Sequence, residues 1–492
     1  MSDLILSIDQ GTTGTTVALF DSHCQMKAKV TTEFRQIFPK PGMVEHDLDE
    51  IWDSVTQGIP KALEQAGVDG QAVTAIGITN QRETTGLWDR KTGKPIHNAI
   101  VWQCRRTTPF CQELKDAGHE SLFRRRTGLV LDPYFSGTKL RWLLDHVSGA
   151  RAAAESGQLA FGTIDTFLVH RLSGGQAHVT EVSNASRTLM MDLESLAWHD
   201  ELLSLLGVPR QVLPEIRSSS EKYAETRGVP GLPDGIPICG MAGDQQSALF
   251  GQTCFDEGQV KCTYGTGAFV LMNTGSKALH SEQGLLTTVG WRMNDQVVYA
   301  LEGSVFIAGA AVQWLRDGLN LVSTSPEIEP MARSVDSSEG VVFVPALVGL
   351  GAPRWNPNAR GIITGITRGT TKAHLARAAL EGIAFQVRDV VEAMRRDLNG
   401  QVDIMRVDGG AAANDLLLQF QADLLGVQIH RPKILETTAL GAALLAGLSA
   451  GVWKNTEEIR QHWSLDKTFG PELDPRQVQE HLDRWEAAVA KA

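Results

Sequence analysis

Two aspartates, Asp9 and Asp244, stand at the ends of short apolar runs, and each lies near a turn of glycine and threonine. Gly11-Thr12-Thr13-Gly14-Thr15-Thr16 follows the first, and Gly265-Thr266-Gly267 comes after the second. Glycine lets backbone N–H groups approach an anion closely and threonine adds hydroxyl donors, a combination that suits phosphate. Either turn alone is a common hairpin loop; the repetition of the turn beside an aspartate is the specific signal. A carboxylate at the end of Leu4–Ile8 can hold the Mg²⁺ that accompanies ATP, through water, and Asp244 is the second candidate for that ion. Asp244 can also accept the proton of an attacking hydroxyl, because phosphoryl transfer needs little beyond positioning and charge neutralisation. Taken singly, each aspartate reads better as a strand-end cap or as the partner of a nearby base.

Arg82-Glu83 follows another buried run and offers a donor and an acceptor side by side, suited to the hydroxyls of a small polar ligand. Trp102, Tyr134 and Phe269 could wall its carbon face. The competing reading is a surface salt bridge and three core aromatics, and spacing alone does not bring these segments together. Neither GxxxxGK[ST], nor GxGxxG after a strand, nor the HRD and DFG of protein kinases occurs, which removes P-loop and dinucleotide-binding readings.

The elements that must carry these residues follow from the pattern. Leu4–Ile8 and Val17–Phe20 form a hairpin across the first turn, and Ala75–Thr79 is a further buried strand. A second set begins near Pro237, with Ile238–Ala242 as a strand and Val260–Tyr264 and Phe269–Met272 as a hairpin across the second turn. A strand–Gly/Thr turn–strand unit that occurs twice predicts two domains of related construction, 1–250 and 251–492, with a boundary near Phe250–Glu257 and a cleft between them. From Leu375, apolar Ala379, Ile383, Val387, Val390, Met394 and Leu398 recur at helical spacing. A strand over Val402–Val407 and a helix from about Asn414 follow it.

Composition narrows the class. A chain of 492 residues with 42% hydrophobic and 21% charged residues can bury large cores. Its formal charge of −11 argues against a general nucleic-acid binder. The six cysteines form no CxxC pair and read as reduced, packed thiols of a cytoplasmic protein. No basic and apolar leader is read at the N-terminus, where Asp3 and Asp9 flank a short apolar run. Thr437–Trp453 carries no charge but falls short of the ~20 residues of a membrane span. Its alanines and glycines predict a buried helix packed closely on a neighbour, so no membrane insertion is expected.

Several blocks together resemble the glycerol kinase branch of the FGGY carbohydrate kinase family: Asp9-Gln10-Gly11-Thr12-Thr13, Asn80-Gln81-Arg82-Glu83-Thr84-Thr85, Ile100-Val101-Trp102-Gln103-Cys104-Arg105-Arg106, Asp132-Pro133-Tyr134-Phe135-Ser136-Gly137-Thr138-Lys139, Gly243-Asp244-Gln245-Gln246, Thr263-Tyr264-Gly265-Thr266-Gly267 and Val407-Asp408-Gly409-Gly410. The resemblance runs from the first strand to about Trp453. It implies an α/β, actin-like and Hsp70-like (ribonuclease H-like) ATPase fold of two domains, each a mixed sheet with flanking helices. It implies that Arg82, Glu83, Tyr134, Asp244 and Gln245 hydrogen-bond glycerol, that Trp102 and Phe269 pack on its carbons, and that Asp244 is the base, giving sn-glycerol 3-phosphate. Thr12, Thr13 and Gly14, with Thr266 from the other domain, are implied to meet the phosphates of ATP. Gly309, Gln313, Gly410 and Asn414 are implied to surround the adenosine, and the family's assemblies imply a homodimer or homotetramer.

Three departures from the family stand out. Thr16 replaces an arginine common at the end of the first phosphate loop. Leu232-Pro233-Asp234-Gly235 replaces a Gly-Gly-Thr-Arg loop, so inhibition by fructose 1,6-bisphosphate is expected to be absent. No histidine lies between Glu221 and Gly240, so activation by histidine phosphorylation is expected to be absent too. A pentulose or other sugar kinase is the nearest alternative, and a nucleotide-driven binding protein is the alternative of a different class.

Overall fold

The computed structural model describes residues 4–492; Met1–Asp3, and with them the Asp3 that flanks the first apolar run, lie outside it. Two sheets organise the chain. The first is built from β1 (Leu4–Gln10), β2 (Gly14–Phe20), β3 (Met26–Glu33), β4 (Val73–Asn80), β5 (Ser220–Glu225) and β6 (Pro237–Gly243), in the order β5-β6-β4-β1-β2-β3. The second uses β7 (Val260–Tyr264), β8 (Ala268–Asn273), β9 (Leu286–Met293), β10 (Gln296–Val305), β11 (Ile404–Asp408), β12 (Gln428–Pro432) and β13 (Leu465–Phe469), in the order β9-β10-β8-β7-β11-β12-β13.

Within each sheet the same five-strand pattern recurs. In β3-β2-β1-β4-β6 and in β10-β8-β7-β11-β12, three antiparallel strands are continued by two parallel ones. This duplication is the actin-like arrangement. It also corrects one expectation: Pro237–Gly243 does not open the second set but pairs parallel with β4 in the first sheet. A parallel partner lies across a crossover, so sequence adjacency to the second hairpin misassigned this strand.

The helices that matter here are α1 (Leu48–Ala66), α2 (Ser136–His146), α3 (Ile164–Leu172), α4 (Asp244–Gly251), α5 (Gly309–Asp317), α6 (Lys372–Leu398), α7 (Asp415–Leu425) and α8 (Thr437–Ser449). α1 and α3 cover one face of the first sheet, with Ile51, Val55, Phe167 and Leu168 packed on Leu6, Ile8 and Val17. α6 buries Ala379, Ile383, Val387, Val390 and Met394 in the second core, as its periodicity predicts. Among the described residues no helix is long and apolar enough to cross a membrane.

The uncharged helix expected near Thr437 is α8. Though it follows β7–β12 of the second sheet in sequence, it lies on the other face of the first sheet, where Ala439, Leu440 and Ala443 join Ile5, Ala18 and Ala75 in a core that also takes in Leu271 and Ala300 of the second sheet. The approach is backbone to backbone. A Cβ at Gly77 would lie 2.1 Å from the Ala442 carbonyl oxygen, and one at Gly441 would lie 1.9 Å from that of Ser247. Backbone cannot step aside as a side chain can. Gly77→Ala is therefore expected to destabilise by roughly 3 kcal/mol, the upper end of ordinary overpacking, read as a lowered midpoint of chemical unfolding; an unchanged midpoint would show that α8 can shift.

Candidate active site

The first Gly/Thr turn connects β1 to β2 and closes with the Gly11 N–H donating to the Gly14 carbonyl at 2.9 Å. It is held from several directions. Trp102 Nε1 donates to Thr12 Oγ1 at 2.9 Å, and Gln36 Nε2 donates to the Thr12 carbonyl at 3.0 Å. Gln81 Nε2 reaches Gln10 Oε1 at 3.0 Å and the Gly11 carbonyl at 3.1 Å. Trp102, read from sequence as a carbon-face wall, thus also fixes Thr12. Thr13 remains exposed.

The second turn connects β7 to β8, with the Gly265 N–H on the Gly267 carbonyl at 2.9 Å. The N–H groups of Ala308 and Ala310 donate to the Thr266 carbonyl at 2.9 and 3.0 Å, and that of Gly309 donates to the Gly265 carbonyl at 2.9 Å. The first donors of α5 are therefore taken up by the turn, and the Thr266 side chain is exposed. Gln313, one turn beyond Gly309 on α5, is exposed. Gly410, just past β11, is exposed with open space where a Cβ would stand. Asn414 spends its side-chain oxygen on capping α7, accepting from the Leu417 N–H at 2.9 Å.

Asp9 lies at the end of β1, opposite Thr16 on one side and Thr79 on the other. Burial, and then the negative charge of Asp244, push its carboxyl up to about 8. The two aspartates from separate parts of the sequence thus share one field, and that field disfavours two negative charges with nothing between them. Asp244 opens α4, half-buried; it accepts from the Gln245 N–H at 2.8 Å and forms an ion pair with Arg82 Nε at 3.0 Å. Among the described residues there is no cluster of three or more His, Cys, Asp or Glu able to cage a metal. A cation here would rest on one or two carboxylates plus phosphate oxygens and water, the arrangement Mg²⁺ prefers.

Arg82 and Glu83 do not pair with each other as closely as their adjacency suggests. Their nearest approach is 3.9 Å, and each finds its partner elsewhere. Arg82 donates to both oxygens of Glu302, with Nη2–Oε1 at 3.1 Å, and to Gln246 Oε1 at 3.3 Å. Arg187 Nε donates to Glu83 Oε1 at 2.6 Å, while its Nη2 donates to Glu302 Oε1 at 2.9 Å. All four side chains are at most 2% exposed.

Burial raises both acids, but two guanidiniums, Arg187 and Arg82, overcome it at Glu302 and hold its carboxyl down at about 2. At Glu83 burial wins, and the carboxyl stays above its ordinary range. Backbone geometry sets this up: Glu83 has φ 61°, and the Thr84 N–H bonds back to the Arg82 carbonyl at 2.7 Å. Such a tight turn at a non-glycine residue costs on the order of 1–3 kcal/mol and aims the two neighbouring side chains in different directions.

Around this centre, Tyr134 sits edge-on to Trp102 with ring centroids 5.6 Å apart, under the Arg187 guanidinium at 5.6 Å. Lys139, fully buried in α2, anchors that segment through the carbonyls of Tyr134 and Phe135, the latter at 3.0 Å. Burial lowers its ammonium to about 7. Gln245 is bound through Oε1 by Lys261 Nζ, which also donates to Thr263 Oγ1 at 2.9 Å. Phe269 is half-buried on β8, one strand from Lys261, whose Nζ also reaches its carbonyl at 3.4 Å.

The structure therefore connects Arg82, Glu83, Trp102, Tyr134, Asp244, Gln245 and Phe269 with the first Gly/Thr turn through an unbroken set of contacts. Sequence reading missed Glu302, Arg187 and Lys261. The one available signal was an ionisable residue inside an otherwise apolar strand, as in Tyr299-Ala300-Leu301-Glu302 and Val260-Lys261-Cys262.

Comparison with known proteins agrees with this geometry. Residues 4–251 match the N-terminal domain, and residues 260–450 the C-terminal domain, of the FGGY family of carbohydrate kinases. A glycerol kinase of Myxococcus xanthus is 59% identical over 99% of both chains, and glycerol kinase 2 of Thermotoga maritima is 55% identical over 99% of this chain and 98% of its own. Among solved structures, Plasmodium falciparum glycerol kinase with ADP superposes with a TM-score of 0.92 at 37% identity, over 100% of this chain and 98% of that one.

Proposed function

This chain belongs to the FGGY family of carbohydrate kinases, and from that premise we propose that it phosphorylates glycerol, using ATP and giving sn-glycerol 3-phosphate. The observation that carries the reading is the placement of Asp244: half-buried, oriented by Arg82 Nε, and sharing an electrostatic field with Asp9 beside the first phosphate turn.

In this reading Arg82, Glu83, Tyr134 and Gln245 hold the glycerol hydroxyls, with Glu83 Oε2 left to accept while Arg187 occupies Oε1. Trp102 and Phe269 cover its carbons. Asp244 accepts the proton of the terminal hydroxyl as that oxygen bonds to the γ-phosphorus and the bond to the ADP oxygen breaks. Thr12, Thr13 and Gly14 from one side, and Thr266 from the other, orient the phosphates. Gly309, Gln313, Gly410 and Asn414 border the adenosine. Asp9 with Asp244 would hold Mg²⁺, which would supply charge neutralisation on the phosphates. Closure of the two sheets over the reactants excludes water and so limits idle hydrolysis of ATP. Six buried, unpaired cysteines support a reducing, cytoplasmic setting.

The test is ADP release from ATP and Mg²⁺ with glycerol, with xylulose and with no acceptor. Release dependent on glycerol is expected. Preference for xylulose would move the chain to a sibling kinase, and equal release without acceptor would make it a plain ATPase.

A further inference from the structure

We propose that Lys29 binds the polyphosphate of the nucleotide, and that Glu436 holds it in reserve until the nucleotide enters; the proposal rests on the kinase reading above. Ser7, Ala18 and Lys29 form one lateral row across β1, β2 and β3, and Asp9, Thr16 and Thr31 form the next row toward the phosphate turn. These rows face α8: Ser7 Oγ donates to the Ala439 carbonyl at 2.7 Å, and Ala18 packs on α8. The alternate residues Ala28 and Val30 face the core shared with α1 instead. Lys29 and Thr31 therefore lie on the same face of the sheet as Asp9.

Within the second row, Thr16 and Thr31 share a 2.9 Å hydroxyl–hydroxyl contact and bring no charge. Lys29 is two strand positions from Thr31, about 6.8 Å, a gap that a four-carbon stem can span. Its ammonium now pairs with the carboxylate of Glu436, the residue that precedes α8. Both side chains are more than a third exposed, at 37% and 35%, so the pair is loosely held and open to exchange. A polyphosphate carries more charge than one carboxylate and offers several oxygens, so it competes favourably for the ammonium.

The experiment is ATP and ADP binding by titration calorimetry on the full chain. Lys29→Met is expected to weaken ATP roughly tenfold, with Lys29→Arg close to wild type and glycerol affinity unmoved in both. Glu436→Gln frees the lysine and is expected to tighten ATP severalfold. The double variant decides between direct and indirect action: if Lys29 contacts phosphate, it matches Lys29→Met. Single variants that shift ATP in the same direction would mean that the pair merely fastens α8 to β3. A double variant restored to wild type would mean a field effect without contact. Either result overturns the proposal, as does normal ATP binding by Lys29→Met, and these leave the kinase reading intact. Failure of the unaltered chain to bind ATP or ADP would overturn both.

Discussion

Replacing Asp244 by Asn is expected to lower kcat by roughly 10³-fold, within the range for loss of a general base, while glycerol binding changes little. The carboxamide is nearly isosteric, and its oxygen can still accept from the Gln245 N–H, which holds the native carboxylate at 2.8 Å beside the Arg82 guanidinium. The hydroxyl proton, however, loses the carboxylate placed to take it, while Glu302 is committed to two guanidiniums and Glu83 to Arg187. Single-turnover phosphorylation alongside glycerol calorimetry separates chemistry from binding. A variant that keeps a tenth of the activity would show that Asp244 orients the substrate without taking its proton. The same substitution removes a negative neighbour of Asp9, so the Asp9 carboxyl should titrate lower than about 8, visible by carboxyl NMR in the absence of Mg²⁺.

Glu302→Gln carries the second large effect. Arg82 and Arg187 are buried to within 2% of full enclosure, and Glu302 accepts from both. Removing its charge leaves two guanidiniums with Glu83 and the partly exposed Asp244 as their remaining acidic partners. Breaking a buried ion network by one partner costs about 3–5 kcal/mol, to be read from the unfolding midpoint in urea. The pH dependence has a defined sign. Burial alone would raise Glu302, but the guanidiniums depress its folded pKa to about 2, below its ordinary 4.5. Its contribution is therefore complete above pH 4.5 and lost as pH falls through 2. The stability gap between wild type and variant should close over that window. A gap that persists unchanged at pH 2 would mean that the cost lies in packing, not charge.

The parts of this enzyme legible in its sequence are those set by local pattern. Both hairpins, the long α6 and the buried α8 follow from apolar spacing and from glycine and threonine at turns. Asp9, Asp244 and the two Gly/Thr turns were visible because backbone chemistry places them at strand ends. What stayed hidden depends on long-range pairing. Glu302 meets Arg82 from 220 residues away, and Arg187 meets Glu83 from 104. Neither separation leaves a periodic trace. The same cause misplaced Pro237–Gly243, whose parallel partner is Val73–Asn80 and not the hairpin beside it. Arg82-Glu83 was recognised as a pair of the right chemistry, but the tight turn that sends the two side chains to different partners required coordinates.

The seat of α8 on the first sheet has a consequence for how the molecule is made. When the ribosome has finished Pro237–Gly243, every strand of that sheet exists, yet the face bearing Ile5, Ala18 and Ala75 has no cover. The helix that covers it is encoded at Thr437–Ser449 and emerges only after the second sheet's β7–β12 have been synthesised. The nascent chain must therefore carry an open apolar surface through nearly half of its translation. A fragment cut between the two sheets would keep that surface exposed and aggregate, so the two parts of the molecule cannot mature separately.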